Sequence, residues 1–265
     1  MLELNKIYCE DNVQGMKRLG DNTIDMVCTS PPYDNLRTYN GYSFDFENVA
    51  KGLYRVTKQG GVVVWVVGDA TIKGSETGTS FRQALTFMEC GFNLFDTMIY
   101  EKQPRGATGN NTTYWQTFEY MFVFSKGKPK TINLICDRKN LTSRKGDNGT
   151  KRLVDGSLQK VSRNGYGEYG RRTNVWRYNV GKGHSTKSNI AFKHPAIFPE
   201  QLAIDHIRSW SNEGDIVLDC FMGSGTTAVA ALQLGRKYIG FEISQEYVDI
   251  ANKRIAAETS QLPLF

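Results

Sequence analysis

Short apolar runs alternate with amphipathic stretches along most of the chain, and this pattern predicts strands that alternate with helices. Runs rich in β-branched and aromatic residues predict strands, whereas apolar residues three and four apart predict helices. The predicted strands cover 6–9, 24–28, 61–67, 94–101, 120–124, 216–219 and 237–241, and the predicted helices cover 13–19, 46–57, 80–90, 199–210 and 228–234. Such alternation is typical of an α/β fold with a doubly wound, mostly parallel sheet that helices cover on both faces.

The tetrapeptide Ser30-Pro31-Pro32-Tyr33 follows directly on the predicted strand 24–28. Proline fixes φ and has no N–H group, so the carbonyl groups of this turn can point outward as acceptors, and the tyrosine offers a flat aromatic face. An extruded nucleobase that presents an amino group needs both features. The alternative interpretation is an ordinary turn after a strand.

A second motif, a glycine-containing turn over residues 221–227, lies far downstream between the strand 216–219 and the helix 228–234. Glycine allows the backbone to approach a ligand closely, and the helix N-terminus behind the turn carries the positive end of the helix dipole. The next strand ends in Glu242, 19 residues after Gly223, where the acid of a dinucleotide-type fold holds ribose hydroxyls. This order of elements indicates a nucleotide-like cofactor, and a tight packing turn is the alternative.

Together the two motifs resemble those of the amino-methyltransferases that modify DNA, in the permuted order that places the SPPY-type motif before the S-adenosylmethionine motif. The resemblance covers most of the chain. Residues 5–33 are similar to the family's opening, residues 118–127 to the strand after the catalytic half, and His194-Pro195-Ala196 to the segment before the glycine turn. The resemblance implies a Rossmann-like class I methyltransferase fold, S-adenosyl-L-methionine as the cofactor and double-stranded DNA as the substrate.

The resemblance also implies a role for individual residues. Ser30, Pro31, Pro32 and Tyr33 form the catalytic turn in this interpretation. The implied cofactor contacts are Asp11 at the adenine edge, His194 in pocket closure, Asp219, Phe221, Gly223, Gly225, Thr226 and Thr227 around the amino-acid part, Glu242 at the ribose and Ile243 at the adenine ring. Two alternatives stay open, because Asp11 is also placed to cap the helix that begins near Val13, and His194 is also consistent with simple turn packing.

The chemistry expected of the catalytic turn follows from the weak nucleophilicity of an exocyclic amino group, whose lone pair is delocalised into the ring. If Ser30 and the carbonyl of Pro31 accept hydrogen bonds from the amino hydrogens, the lone pair can point at a sulfonium methyl and direct transfer becomes possible. In the family, a serine before the prolines tends to accompany N4-cytosine methylation, which we favour over N6-adenine methylation. No Pro-Cys dipeptide occurs, so methylation at a ring carbon has no obvious nucleophile.

The net charge of +6 is concentrated in one part of the chain. Residues 128–190 hold 15 Lys or Arg against 4 Asp or Glu, a net +11, so the rest of the chain carries −5. We expect three regions: a catalytic half over 1–127, a basic target-recognition insert over 128–175 that orders on DNA, and a cofactor-binding half over 176–265. The expected DNA contacts are Arg37, Arg138, Lys139, Arg144, Lys145, Lys151, Arg152, Arg171 and Arg172. A solvated flexible loop is the alternative for the insert.

The remaining composition narrows the class of protein. The five cysteines are scattered without CxxC spacing, which favours a reducing cytoplasm and argues against a zinc site. No window of 18 apolar residues predicts a membrane span. Three alternatives remain open: a methyltransferase acting on RNA, one acting on protein, and an inactive DNA-binding module. The sequence specifies neither a restriction-modification partner nor an oligomeric state, and a homodimer stays possible.

Overall fold

The computed structural model describes residues 2–32, 45–103, 114–141, 146–163, 165 and 167–260. The chain forms two compact units, a larger one of Met1–Asn133 with Asn174–Phe265 and a smaller one of Leu134–Thr173. The strands are β1 (Lys6–Cys9), β2 (Ile24–Thr29), β3 (Thr57–Val67), β4 (Thr71–Ile72), β5 (Ser75–Glu76), β6 (Asn93–Gln103), β7 (Phe118–Ser125), β8 (Arg138–Lys139), β9 (Asp147–Arg152), β10 (Leu158–Arg163), β11 (Tyr169–Gly170), β12 (Val175–Asn179), β13 (Ile216–Asp219) and β14 (Lys237–Glu242). The helices are α1 (Asn12–Lys17), α2 (Phe46–Val56), α3 (Thr79–Glu89), α4 (Glu200–Trp210), α5 (Thr226–Gln233) and α6 (Gln245–Thr259), with a 3₁₀ turn at Ala191–Lys193.

The larger unit is built on one eight-stranded sheet with the order β1-β14-β13-β2-β3-β7-β6-β12. Neighbouring strands are parallel throughout, except that β7 runs antiparallel to both β3 and β6. The predicted α/β fold with a mostly parallel sheet is therefore confirmed. Because parallel strands share a direction, the carboxyl ends of β1, β14, β13, β2 and β3 meet at one edge of the sheet.

The core of the sheet forms where apolar runs are covered on both faces. Residues 62–67 of β3 are buried on both sides, as expected of a central strand in an α/β sheet. Helix α2 buries Val49, Ala50, Leu53 and Val56, which lie on one face of the helix because they are three or four residues apart. The sequence pattern predicted these elements, but it did not predict β12 or the long helix α6.

The smaller unit has strands of its own. β9 pairs antiparallel with β10, with Arg152 opposite Leu158, and β8 pairs antiparallel with β11. The basic insert was expected over 128–175, but Asn174 and the segment 128–133 belong to the larger unit. Val175 begins β12, which pairs with β6 in the main sheet, and this pairing separates it from the insert.

β2 and β13 are sheet neighbours although almost two hundred residues separate them, with Met26 paired to Val217. Their carboxyl ends are joined by side chains. The Thr29 hydroxyl donates to Oδ1 of Asp219 at 2.6 Å, and the Thr227 hydroxyl donates to the Cys28 carbonyl at 3.1 Å. Burial raises the pKa of Asp219 to about 6, although the hydrogen bond from Thr29 opposes that rise. A buried, hydrogen-bonded carboxylate therefore fixes this junction.

Replacing Asp219 by Asn should remove a distinct pH dependence of stability. The pKa of Asp219 is raised from 3.8 to about 6 in the folded protein, so the unfolded chain releases this proton first as the pH rises. The free energy of unfolding of the wild type minus that of Asp219→Asn should therefore fall by roughly 2 kcal/mol between pH 4 and pH 6.5. Urea unfolding across this range measures the difference.

Thr29→Val serves as the matched test of the same junction. It removes the hydrogen bond that lowers the Asp219 pKa, so the decline in stability should extend to higher pH. A difference between wild type and Asp219→Asn that does not change with pH would contradict this assignment.

Candidate active site

A cavity of about 1050 Å³ opens at the carboxyl edge of the sheet in the larger unit. It brings the two sequence motifs together, because Ser30, Pro31 and Pro32 line the same cavity as Gly223 and Glu242. The predicted site residues that line it are Asp11, Ser30, Pro31, Pro32, His194, Phe221, Gly223, Thr226, Glu242 and Ile243. Tyr33, the last residue of the catalytic tetrapeptide, lies outside the described residues.

Asp219, Gly225 and Thr227, also predicted as cofactor contacts, do not line the cavity. Asp219 and Thr227 are buried behind it and bond to the end of β2, as described above. Oδ1 of Asp219 also accepts from the backbone N–H of Phe221 at 3.0 Å. Asp219 and Thr227 therefore hold the glycine turn in its conformation through hydrogen bonds, without lining the cavity themselves.

The glycine turn requires glycine at both positions for identifiable reasons. Gly223 has a φ of +51°, and a Cβ there would lie 3.1 Å from Cε1 and Nε2 of His194. Gly225 has a φ of +80°, and its Cβ would lie 3.1 Å from Cβ of Ala251 on α6. L-residues with side chains rarely adopt such φ values. The turn thus packs tightly against α6 on one side and exposes its backbone to the cavity at Gly223.

Glu242 is held by the backbone at the edge of the cavity. Its Oε2 accepts from the N–H of Gly223 at 2.9 Å, and its Oε1 accepts from the N–H of Ser244 at 3.0 Å. Burial raises the pKa of Glu242, and these two hydrogen bonds oppose that rise. Because each carboxylate oxygen has two lone pairs, both oxygens retain the capacity to accept from a ligand hydroxyl.

The turn from β1 into α1 contributes Asp11 and Asn12 to the cavity. Oδ1 of Asp11 accepts from the N–H of Gln14 at 3.0 Å, so Asp11 caps α1. Asp11 also lines the cavity. Asn12 is 7% exposed, and its Nδ2 donates to the Cys220 carbonyl at 3.2 Å. Its Oδ1 has no hydrogen-bond partner among the described residues. The sequence pattern did not single out Asn12, because an asparagine just before a predicted helix usually indicates a cap or a turn.

One wall of the cavity, the segment 180–198, precedes α4. His194 lies in this wall, with Nδ1 2.6 Å from the Ala196 carbonyl oxygen and its ring edge-on to Tyr247 at 4.3 Å between centroids. Tyr247 on α6 and Phe192 also line the cavity, and neither was predicted from the sequence. His194 therefore lies beside Gly223, and its role in closing the cofactor pocket stays a prediction.

The cavity continues beyond Ser30 along the carboxyl end of β3 to the adjoining ends of β7 and β6. There Lys102 pairs with Glu119 at 2.5 Å, and Nε2 of Gln116 donates to Glu76 at 2.6 Å. Hydrogen-bond donors and acceptors thus line the part of the cavity at the ends of β6 and β7.

Two cysteines lie close to the catalytic turn, and both are buried. Burial raises the pKa of Cys28 and that of Cys220, so both stay protonated at neutral pH. Neither thiol has the depressed pKa of a cysteine nucleophile.

The predicted DNA contacts in the smaller unit lie on its surface. Arg138, Lys139, Lys151, Arg152 and Arg171 are exposed, whereas Arg172 is partly buried and pairs with Asp137. This pair lowers the pKa of Asp137, mainly through the hydrogen bond from Arg172. Arg37, Arg144 and Lys145 lie outside the described residues.

Two kinds of feature are absent from the residue ranges that the structure describes. No group of three or more His, Cys, Asp or Glu side chains in these ranges is arranged to hold a metal ion. No helix in them is long and apolar enough to cross a membrane.

Comparison with known proteins identifies relatives that match nearly the whole chain. Residues 24–253 match the model of a family described as DNA methylase. M.BamHII of Bacillus amyloliquefaciens, an orphan methyltransferase, is 62% identical over 242 residues that cover 90% of this chain and 91% of that protein. M.MthZI of Methanothermobacter thermautotrophicus, a type II methyltransferase, is 27% identical over 293 residues that cover 96% of this chain and 77% of that protein.

Solved structures share the fold. The PvuII DNA methyltransferase, which is cytosine-N4-specific, superposes with a TM-score of 0.69 at 20% identity, covering 97% of this chain and 91% of that one. A Thermus thermophilus protein solved in complex with S-adenosyl-L-methionine superposes with a TM-score of 0.65 at 21% identity, covering 97% of this chain and 95% of that one.

The cavity fits the methyl donor of this family, S-adenosyl-L-methionine. Asn12 places an unpartnered buried acceptor beside it, Glu242 presents a fixed carboxylate, and Gly223 keeps open the space that a Cβ would narrow. The family match spans both turns that meet in this cavity. The chain therefore belongs to the DNA methylase family of N6/N4 amino-methyltransferases, and it is a DNA methyltransferase.

Proposed function

We propose that this enzyme transfers a methyl group from S-adenosyl-L-methionine to the exocyclic N4 of a cytosine flipped out of double-stranded DNA. The observation that carries the proposal is the single cavity lined by Ser30, Pro31 and Pro32 at one point and by Gly223 and Glu242 at another. Methyl transfer between two ligands requires both to reach one space, and this cavity provides it.

The catalytic turn acts on the amino group of the target base. The Ser30 hydroxyl and the Pro31 carbonyl accept hydrogen bonds from the two amino hydrogens, which draws the nitrogen lone pair out of conjugation with the ring. Positioning and electrostatic stabilisation suffice for methyl transfer, and no strong base is needed beforehand, because the amino proton can leave after the nitrogen has been methylated. Tyr33 stacks on the extruded base, a contact worth about 1 to 3 kcal/mol that offsets part of the cost of unstacking.

The other end of the cavity holds the cofactor, which supplies an electrophilic methyl group on its sulfonium sulfur. Phe221, Gly223 and Thr226 surround its amino-acid part, and Glu242 accepts hydrogen bonds from its ribose hydroxyls. Ile243 contacts the adenine ring, and Asp11 lies at the adenine edge. Asp219, Gly225 and Thr227 keep the turn in shape from behind, so their contribution to binding is indirect.

Cytosine N4 is favoured over the other sites of base methylation by the residues of the turn. Serine accepts one hydrogen bond without adding a charge, and cytosine needs a smaller pocket than adenine. The raised pKa values of Cys28 and Cys220 argue against a thiolate mechanism at a ring carbon. The cytosine-N4-specific PvuII enzyme has the same fold, which is consistent with this choice.

The smaller unit supplies contacts to the phosphate backbone. Lys151 and Arg152 on β9 and Lys160 on β10 expose their side chains on one hairpin. A hairpin with exposed cations of this kind suits sequence-independent contact with phosphates, which then positions the base to be extruded.

Ser30→Ala should lose methyl transfer while it keeps the cofactor. Removing one acceptor from the amino group should lower the turnover rate about 100- to 1000-fold, with the dissociation constant for S-adenosyl-L-methionine unchanged. Nucleoside mass spectrometry of plasmid treated with the wild type should detect N4-methylcytosine, and Ser260→Ala at the end of α6 provides the control. N6-methyladenine as the sole product would refute the cytosine assignment.

Gly223→Ala should weaken cofactor binding. The added Cβ meets the His194 ring at 3.1 Å in a backbone conformation that alanine disfavours, so we expect the dissociation constant for S-adenosyl-L-methionine to rise at least about tenfold. Isothermal titration calorimetry measures this change. Gly214→Ala is the matched control, because Gly214 also has a positive φ but no atom within 4 Å of its Cβ position. An equal loss in both variants would show that the effect is not local to the cavity.

Lys151→Ala and Arg152→Ala should each reduce the salt dependence of duplex binding. Each lost phosphate contact should lower the slope of log K against log salt by about 1. Fluorescence anisotropy at several salt concentrations gives the slope, with Lys253→Ala on the exposed side of α6 as the control and RNA as a competitor. Unchanged slopes would remove the hairpin from the DNA interface, and equal competition by RNA would leave the substrate class open.

A further inference from the structure

Arg254 on α6 is fully buried, which is unusual for an arginine and requires that its charge be paired. All three nitrogens of its guanidinium donate to acceptors within 3.4 Å. Nε donates to Glu258 at 2.8 Å, and Nη2 donates to Glu200 at 2.8 Å. Two carboxylates thus neutralise the buried charge.

The partners of Arg254 belong to separate segments of the chain. Nη1 donates to Oγ1 of Thr226 at 2.9 Å and to the Ser224 carbonyl at 3.3 Å, both in the glycine turn. Nη2 donates to Oγ1 of Thr186 at 3.3 Å, within the wall segment 180–198, besides its bond to Glu200. One planar group therefore bridges the turn and the wall.

Thr186 and Glu200 fix both ends of the stretch of wall that carries His194. The Thr186 hydroxyl donates to Oε2 of Glu200 at 2.9 Å, and the N–H of Glu200 donates to the Ser185 carbonyl at 2.8 Å. These bonds close the stretch into a loop whose base rests on Arg254.

Helix α6 presents this bridge together with two other contacts on one face. Tyr247, Ala251, Arg254 and Glu258 are three or four residues apart and therefore line up along the helix. Tyr247 packs on the ring of His194 in the wall, and Ala251 lies against Gly225 in the turn. The same helix face thus contacts both sides of the cavity.

We propose that Arg254 is a positioning residue that couples the glycine turn to the wall segment 180–198, so that S-adenosyl-L-methionine bound at the turn also orders the wall. This inference rests on the cofactor site proposed above. Arg254 does not line the cavity, so it acts through Thr226 on one side and through Thr186 and Glu200 on the other. A lysine cannot replace it, because one ammonium group cannot reach both sets of acceptors at once.

The test compares the wild type with Arg254→Lys and Arg254→Met by calorimetry and by amide hydrogen exchange, each with and without S-adenosyl-L-methionine. In the wild type the cofactor should slow exchange both in residues 222–227 and in residues 181–199. In the two variants we expect the dissociation constant to rise about tenfold, and at saturating cofactor the protection should persist in 222–227 and be lost in 181–199.

Arg236→Met controls for a general loss of stability. Arg236 is a partly buried arginine that donates to Ser211 and Leu234, away from the cavity, so its loss should lower the melting temperature without changing cofactor affinity. Thr186→Val removes the hydrogen bond from Arg254 to the wall at Thr186. If Arg254→Met does not fold, Thr186→Val replaces it as the test variant. It should reduce protection of the wall alone.

The outcomes separate this inference from the proposed function. If the wild type binds no S-adenosyl-L-methionine, the cofactor site itself is wrong and the coupling falls with it. If the wild type binds and the Arg254 variants show equal affinity and equal protection of 181–199 at saturation, the site stands and the coupling is wrong.

Discussion

The pairing of β2 with β13 in the middle of a parallel sheet is the constraint on which the site depends. It sets the carboxyl ends of two strands from opposite halves of the chain side by side, so the turns that follow them open into the same cavity. Backbone pairing alone fixes the register only loosely over such short strands. The hydrogen bond from Thr29 to Asp219 and that from Thr227 to Cys28 add side-chain links at the point where each strand gives way to its turn.

Around this junction, buried charged groups are held by hydrogen bonds, and each of them has a structural consequence. Glu242 is fixed by two backbone N–H groups, so its carboxylate is oriented before a ligand arrives. Arg254 is enclosed by two carboxylates and by oxygens of the turn and wall. Burying such groups is costly unless every donor is satisfied, and the shape of the cavity therefore depends on contacts that lie behind its surface.

The sequence predicted the elements that have strong local signals. The strands that lead to Ser30 and to the glycine turn are apolar runs bounded by turn residues, and both were located from that pattern. Helix α6 was not predicted, and its inward face carries Arg254 and Glu258, which a hydrophobicity pattern assigns to solvent. Asn12 was not predicted as a site residue. Only the structure shows that its Nδ2 donates to the Cys220 carbonyl and that its Oδ1 has no hydrogen-bond partner among the described residues. Asp219 and Thr227 were predicted as cofactor contacts, and only three-dimensional packing reveals that they lie behind the turn.

The most direct test of the shared cavity is a crystal structure of the enzyme with a non-reactive analogue of S-adenosyl-L-methionine and a duplex that contains the target site. We expect the atom that replaces the methyl-bearing sulfur to lie next to the glycine turn, with N4 of an extruded cytosine beside Ser30, at a distance of about 5 Å that leaves room for a methyl group between them. An extruded base and an analogue bound in separate pockets, with protein between them, would contradict the proposed reaction.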